Sequence, residues 1–475
     1  MLGRLMRHLM PAPNLGMWCC EGFKFESGPN VLTMAARLQS MFPEDAPRIR
    51  AYLNDLDHIA SWVMHIKDAL MERGMQAAMA DILRDPEGYS RMTLQQLLDR
   101  HFPHGMDSKM RLVLTGLWGF LGEQPSDMSV MNWAILWKTL EQGMFVLRPG
   151  VTVESFLGEY SRVIGEHGGQ VILKGEVARI LLEANDQGME VARGVELANG
   201  TRLRADVVVS ACALPILAQM VPGGLRQLSP KGAPPLDLEK MELSPTCDSL
   251  YVGLANTPQT ATLLAPLTAR STWFQPSFDN SEEHRRALDE LLGAEQANPE
   301  DVLDNHPPSL FVTNVIPASD APSRVLSCCF IRPVSSRNYD LTKEAYHQWK
   351  ARRLEGMLAC LERCLLSLHP REGPFQRGIL KRLLVCVELA TDRTYSRYTG
   401  SPLGAIYGPA NTPAHGLFRR FPPVTAIPHL WVAGQWGLGG SGMSGCMVGA
   451  ILVAAEIDRS SNVATATAAA GVGRP

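Results

Sequence analysis

The sequence predicts an α/β protein that combines a parallel sheet with a second region of antiparallel strands and helices. Over residues 43–137, apolar side chains recur every three or four positions, which is typical of amphipathic helices. The unbroken apolar run "VVVSA" at 207–211 indicates a strand buried on both faces, as in a parallel sheet. Segments within 245–334 alternate instead, as antiparallel strands do. We find no internal repeat.

The composition excludes several functional classes. The chain has 475 residues, enough for about three domains of roughly 150 residues or for two interwoven ones. Its 45 basic and 48 acidic residues nearly cancel, so no nucleic-acid partner is expected. Its ten cysteines form no C-x-x-C and no Cys/His cluster with zinc spacing. We therefore expect no metal, and reduced thiols in a protein that is intracellular and not secreted.

The first third of the chain predicts a helical lobe. "EDAPRIRAYLNDLDHIASWVMHIKDALMERG" places Ile49, Leu56, Ile59 and Ile66 on one face of a helix, and a second block is rich in Met and Trp. These residues form either the core of the lobe or an enclosure for an apolar ligand, and the sequence leaves both open.

A helix followed by strands is predicted after Pro149-Gly150. "VTVESFLGEYSRVIGEHGG" is a helix ended by glycines, and "QVILKGEVARILLEA" is a strand. Asn199-Gly200 indicates a hairpin turn. Further helices are expected at 280–293 and 343–370, and the tail after Ser460 is low in complexity.

The segment "HLWVAGQWGLGGSGMSGCMVGAILVAAEI" contains a formal G-x-G-x-x-G at Gly437, Gly439 and Gly442. It cannot be a complete dinucleotide fingerprint, because the helix after Gly442 runs to about Ile457 and no second strand with a ribose-binding acid follows. Its glycines nevertheless open a helix whose first N–H groups could meet a diphosphate or a flavin oxygen. A glycine-rich crossover without a ligand is the alternative.

The chain resembles the FAD-dependent phytoene desaturases and carotenoid cis-trans isomerases, within the amine-oxidase-like flavoproteins. The segments that carry the likeness are "GFKFESGPNVLT", the helix and strands of 150–213, "TDRTYSRYTGSPLGAIYGPANTPAHGLFRRFPPVTAIPHLWVAGQW", and the C-terminal glycine segment. Together they cover nearly all of residues 22–457.

The resemblance implies FAD as cofactor and an α/β fold. In that fold an FAD-binding, glutathione-reductase-like domain is built from both chain ends and interleaved with an α+β substrate domain. The implied division is 1–42 as a remnant of the FAD domain, 43–148 as the helical part of the substrate domain, 149–220 as FAD domain, 245–390 as substrate domain, 391–459 as the C-terminal FAD segment and 460–475 as a disordered tail.

The resemblance also implies the cofactor-binding residues. Val177 matches a position near the adenine, the backbone of Gly442 and Met443 faces the flavin ring, and Gly434-Gln435 lies near the ribityl chain. The full implied set is Glu26, Gly28, Val177, Gly434, Gln435, Gly440, Gly442 and Met443.

Three departures from the family pattern stand out. No glycine fingerprint with its βαβ unit precedes "GFKFESGP", Gln435 replaces an acid, and Gly439 stands where the isomerase branch often has proline. The fold is thus expected to lack its first βαβ unit, and with it the diphosphate cradle.

Two functional hypotheses follow. The first is a flavin-dependent enzyme that isomerises or desaturates a carotenoid or similar apolar polyene at a plastid or other membrane surface, without a conventional acid/base dyad. The second is a truncated, FAD-free remnant that binds an apolar ligand or partner without catalysis. Amine oxidation is weaker, because no aromatic pair suggests an amine cage. The oligomeric state is left open.

Overall fold

The computed structural model describes residues 2–20, 22–74, 80–82, 84–85, 87–229, 240–275, 310–315, 323–370 and 373–471. The charged helix predicted at 280–293 lies outside these residues. None of the described helices combines the length and the apolar composition that a bilayer span requires.

The described strands and helices follow the chain in this order. The strands are β1 Leu9–Pro11, β2 Met17–Cys20, β3 Phe23–Glu26, β4 Phe145–Leu147, β5 Val177–Ala184, β6 Glu190–Leu197, β7 Arg202–Arg204, β8 Val208–Ser210, β9 Thr246–Ala255, β10 Ser271–Phe274, β11 Leu310–Val315, β12 Ser323–Arg332, β13 Leu384–Ala390 and β14 Leu430–Val432. The α-helices are α1 Leu2–Leu5, α2 Val31–Met41, α3 Ala46–Arg73, α4 Leu94–His101, α5 Ser108–Thr115, α6 Val130–Thr139, α7 Val153–Glu166, α8 Leu214–Met220, α9 Leu225–Leu228, α10 Pro258–Leu264, α11 Lys343–Ser367, α12 Ile379–Leu383, α13 Asp392–Thr399 and α14 Gly442–Gly471.

The helical lobe, residues 31–142, confirms the predicted amphipathic pattern. Ile49, Leu56, Ile59 and Ile66 are all buried on α3, which packs against α6. Burial of this apolar stripe is the main stabilising contribution, since each fully buried aliphatic side chain adds about 1.5–3 kcal/mol.

A seven-stranded sheet forms the second layer, in the order β13-β9-β12-β11-β10-β2-β3. The pairs are antiparallel except for β10 and β2. The antiparallel strands predicted within 245–334 are therefore confirmed, and α11 packs behind them. The long β9–β12 register aligns Thr246 with Arg332 and Ala255 with Ser323.

Four charged side chains are buried between this sheet and α11. Asp248 Oδ2 accepts from Arg353 Nε at 2.7 Å and from Arg332 Nε at 3.2 Å, and Arg332 Nη2 lies 3.1 Å from Asp392 Oδ2. Arg353 also stacks over the Phe330 ring, 4.9 Å from its centroid. Each buried guanidinium here has a carboxylate neighbour, as buried charges require.

A smaller region contains two further sheets. Strands β8 and β14 pair in parallel, and β5, β6 and β7 form an antiparallel sheet whose β6–β7 connection is the predicted Asn199-Gly200 hairpin. The strand at 208–210 is buried on one face only, because Val208 is buried while Val209 is 46% exposed. The prediction of burial on both faces is wrong because the described parallel sheet has just two strands.

Other departures from the sequence-based predictions concern the chain ends and one strand. Residues 17–26 pair within the seven-stranded sheet, whereas the sequence assigns them to an FAD-domain remnant. Strand β5 begins at Val177, so "QVILK" at 170–174 is not part of it. The helix α14 continues to Gly471 where a disordered tail is predicted, since alanine-rich sequence favours helix. Residues 472–475 lie outside the described residues.

Candidate cofactor site

A glycine turn, residues 433–442, connects β14 to α14. Gly434 adopts φ 82°, and a Cβ there would lie 3.1 Å from the Ala211 carbonyl oxygen at the end of β8. Gly439 adopts φ 115°, and a Cβ would lie 2.6 Å from the Gly449 nitrogen. Both positions need glycine because the backbone has positive φ and packs directly against backbone.

The outer side of the same turn is open. Gly440 and Gly442 have φ of 87° and 75°, and a Cβ on either would meet nothing within 4 Å. Met443, the next residue on α14, is 57% exposed. A ligand can thus approach the bare backbone at the positive end of a long helix, where an electron-rich oxygen is stabilised.

A buried arginine fixes the inner side of the turn. Arg420 is 4% exposed, and its Nη1 donates to the carbonyl oxygens of Gln435 and, at 3.1 Å, Tyr407. Its Nη2 donates to Pro409 O at 3.0 Å and to Asn411 Oδ1 at 2.9 Å. The guanidinium therefore ties the 407–411 loop to the glycine turn.

Sequence reasoning missed Arg420. The segment "LFRRFPPV" carries no local signal that would have identified it, since the adjacent Arg419 stands in the same context and is exposed. Burial lowers the pKa of Arg420 to about 10, which still leaves it protonated at neutral pH. Cys446, on α14, has its pKa raised by burial and is a neutral thiol there.

The structure brings five of the sequence-predicted site residues together. Gly434, Gln435, Gly440, Gly442 and Met443 all lie in the glycine turn or at the first turn of α14. Their grouping follows from their closeness in sequence, so it does not by itself test their role.

The other three predicted residues lie in different sheets. Glu26 ends β3, where its Oε1 accepts from Thr268 Oγ1 at 2.6 Å. This hydrogen bond, followed by smaller effects from the nearby Lys24 and Arg37, lowers the pKa of the carboxyl. Gly28 adopts φ 82° beside Thr33.

Val177 is the first residue of β5 and pairs with Leu197. It therefore belongs to the three-stranded sheet β5-β6-β7 rather than to the glycine turn. Its predicted place near the adenine stays a prediction.

The Met- and Trp-rich block at 128–137, for which the sequence leaves open the lobe core or a tunnel that encloses an apolar ligand, is mostly core. Met128, Met131 and Trp133 are buried in the helical lobe, and Trp133 Nε1 donates to Tyr52 Oη at 2.9 Å. Ala134 and Trp137 do line a cavity of about 310 Å³ between α2, α3 and α6. Its remaining lining includes charged side chains such as Arg50 and Asp57, so it is not an apolar tunnel.

The open backbone is compatible with an electron-rich ligand such as a flavin. Gly440 and Gly442 leave space that a ligand can occupy, and the buried Arg420 Nε has no acceptor among the described residues. Both features suit an electron-rich ligand at this turn. In the described parallel sheet, β8 and β14 supply no second glycine-rich turn that would hold a diphosphate.

Comparisons with known proteins indicate the family and the fold of the chain. Over 148 residues the chain is 27% identical to a 4,4'-diapophytoene desaturase (4,4'-diapolycopene-forming) of Methylomonas sp, a match that covers 31% of this chain and 27% of the relative's length. Among solved structures, a variant of putrescine oxidase matches with a TM-score of 0.53 at 11% identity, over 98% of this chain and 85% of that one. Cyclohexylamine oxidase from Brevibacterium oxydans IH-35A matches with a TM-score of 0.49 at 15% identity, over 96% and 82%.

The putrescine oxidase match shows the fold alone, a mixed α/β architecture of the amine-oxidase type. The family assignment rests on the sequence: the family model of flavin-containing amine oxidoreductases matches residues 22–306, more than half of the chain. This confirms the resemblance stated above and its flavin cofactor. The chain belongs to the flavin-containing amine oxidoreductase family.

Proposed function

We propose that the chain is a flavin-dependent enzyme that isomerises or desaturates a carotenoid or similar apolar polyene. The observation that carries the proposal is the open glycine turn at the start of α14, where Gly440 and Gly442 expose bare backbone. Family membership supports the flavin, and the partial match to a desaturase supports an apolar polyene over an amine.

The residues that would hold the cofactor are those of the turn. The backbone of Gly440, Gly442 and Met443 would meet the flavin ring, and Gly434-Gln435 would lie along the ribityl chain. When bound, the flavin supplies the electrons or accepts the hydride of the reaction. The protein's contribution is to orient the ring on a rigid turn, which Arg420 fixes through the Gln435 carbonyl.

The titratable groups Arg420 and Cys446 beside the turn offer no proton acceptor. Arg420 is a cation and Cys446 a neutral thiol at neutral pH, because burial leaves the first pKa at about 10 and raises the second. Neither can accept a proton from a substrate carbon. Rotation about a conjugated double bond needs no proton acceptor, and a desaturation in which cofactor and solvent take up both hydrogens needs no protein base, so both reactions are compatible with these residues.

The test has two stages. The purified chain is first titrated with FAD, and we expect a shifted flavin absorption spectrum and saturable binding. The loaded protein is then incubated without oxygen, with the flavin reduced, with a poly-cis carotene in detergent micelles. Chromatography should show all-trans product of unchanged mass. A parallel incubation with oxidised flavin and an added quinone as electron acceptor tests the other reaction, in which a product lighter by two hydrogens would indicate desaturation.

The matched variants are Gly442→Val and Gly158→Val. The first puts a branched side chain at an open, positive-φ position of the turn and should abolish FAD binding. The second lies on α7, with open space around it, and should leave binding intact. Failure of the wild-type chain to bind FAD would overturn the proposed enzyme.

The alternative function is an FAD-free protein that binds an apolar ligand. It is favoured by the described parallel sheet, whose two strands supply no second glycine-rich turn to hold a diphosphate. In that case a colourless chain that gains no flavin on titration would still take up the carotene from micelles. Binding of neither compound would overturn both functions.

A further inference from the structure

We propose that Arg420 is a positioning residue whose uncompensated positive charge stabilises the reduced state of a flavin held at the glycine turn. The inference rests on the proposed function and assigns a role to a residue outside the predicted site.

The first argument is the chemistry of its partners. The guanidinium donates to three backbone carbonyls and to the side-chain oxygen of Asn411, all of them neutral. Among the described residues, no carboxylate lies within 4 Å of it. Glu123 is linked to Arg420 only through Asn411. Its Oε1 accepts from the Asn411 backbone N–H at 3.2 Å, and the Asn411 side chain accepts from Arg420.

The second argument is burial. Arg420 is 4% exposed, and its Nε has no acceptor among the described atoms. Burial lowers its pKa, although the more distant Cys446 and Glu123 act in the opposite direction. A charge removed from water and given only neutral partners interacts strongly with any further charge that develops nearby.

The third argument is position. Arg420 contacts the Gln435 carbonyl, so the cation lies against the same turn that carries the open positions Gly440 and Gly442. Asn411, its side-chain partner, also accepts from Asn132 Nδ2 at 3.0 Å and donates to Leu121 O at 2.7 Å. The arginine thus connects the turn to the helical lobe, and a flavin that gains negative charge on reduction would gain it in front of this cation.

The experiment compares FAD affinity and flavin midpoint potential in full-length variants. Arg420→Met removes charge and hydrogen bonds, Arg420→Lys keeps the charge but loses the planar fork, and Arg419→Met alters the exposed neighbour as control. We expect Arg420→Met to bind FAD at least about tenfold more weakly and to have a lower potential. Arg420→Lys should bind more weakly with a potential near that of the wild type, and Arg419→Met should be unchanged.

A second variant tests the charge without removing the arginine. Asn411→Asp places a carboxylate against Nη2, where Oδ1 now accepts at 2.9 Å, and should neutralise the cation. We expect a lower potential with FAD still bound. If Arg420→Met fails to fold, the flavin midpoint potential of Asn411→Asp tests the role of the positive charge instead.

The outcomes separate the two proposals. A wild-type chain that binds no FAD overturns the proposed function and this inference with it. Normal FAD binding with a wild-type potential in both Arg420→Met and Asn411→Asp overturns the role of Arg420 alone.

Discussion

Arg353, beneath the seven-stranded sheet, and Arg420, behind the glycine turn, are both almost completely buried, yet their partners differ. Arg353 donates to the Asp248 carboxylate and stacks on Phe330. Arg420 donates to neutral oxygens alone among the described atoms. The first charge contacts a carboxylate directly, whereas the second is linked to Glu123 only through Asn411.

The apolar surfaces of the two regions do not differ in the same way. Leu250 and Val252 of β9 are fully buried by neighbouring strands and helices. In the smaller region, Leu173 is 81% exposed, and Val209 and Ile451 are about half exposed. Apolar side chains of the seven-stranded sheet are exposed as well, such as Val385 at 61% and Tyr251 at 44%, so the two regions differ in the partners of their buried arginines rather than in exposed apolar surface.

The largest effect on the unfolding free energy is expected at Asp248, whose carboxylate pairs with two buried arginines. Asp248→Ala leaves Arg353 and Arg332 without the carboxylate that accepts from both Nε atoms. Removing one member of such a buried pair costs about 3–5 kcal/mol of unfolding free energy. Urea denaturation checks this, with the exposed Asp340→Ala as control, and a loss under 1 kcal/mol would contradict the internal balance.

A smaller effect on the unfolding free energy is expected from alanine substitutions on the inner and outer sides of the glycine turn. Gly439→Ala should lower the unfolding free energy by about 2–4 kcal/mol, because its Cβ would clash with the Gly449 nitrogen at positive φ. Gly440→Ala has similar φ but open space, so only the conformational cost of about 1 kcal/mol applies. Thermal denaturation of the pair measures the difference, and equal losses would show that the inner face is not tightly packed.

The smallest effect concerns Glu26 at the edge of the seven-stranded sheet. Its folded-state pKa lies below the usual value, mainly through the Thr268 hydroxyl, so its contribution is fully present above about pH 4.5 and is lost as the pH falls through the lowered pKa. Because the Glu26 side chain is 38% exposed, screening by solvent limits this contribution to less than about 1 kcal/mol.

Glu26→Gln should therefore lose a little stability at pH 7 and show a flatter decline between about pH 5 and pH 3 than the wild type. Denaturation at several pH values measures both. The exposed Glu388→Gln on β13 is the control, and an unchanged pH profile in Glu26→Gln would contradict the hydrogen bond's role.

Local pattern predicted most of the elements. The apolar spacing of α3, the alternation of β9 and β12, the Asn199-Gly200 hairpin and the strand-turn-helix at 430–457 all follow from interactions between residues close in sequence. Within the site, the five residues of the glycine turn were accessible for the same reason.

Contacts between residues far apart in the sequence could not be predicted from the sequence. The placement of β2 and β3 in the seven-stranded sheet depends on β10, about 250 residues away, and the one-sided burial of β8 depends on how many strands join it. The core position of Met128 and Trp133 depends on the packing of α3 against α6. None of these contacts leaves a periodic signal in the segment itself.

The sequence by itself determined the family, the flavin chemistry and the backbone turn that can receive it, because glycine spacing and apolar periodicity are local properties. Only the tertiary structure decided which buried arginine contacts a carboxylate. Arg353 and Arg420 look alike in sequence, and only the fold places a carboxylate beside one and neutral carbonyls around the other. The cost of burying a charge depends on its neighbours in space, and those neighbours come from distant parts of the chain.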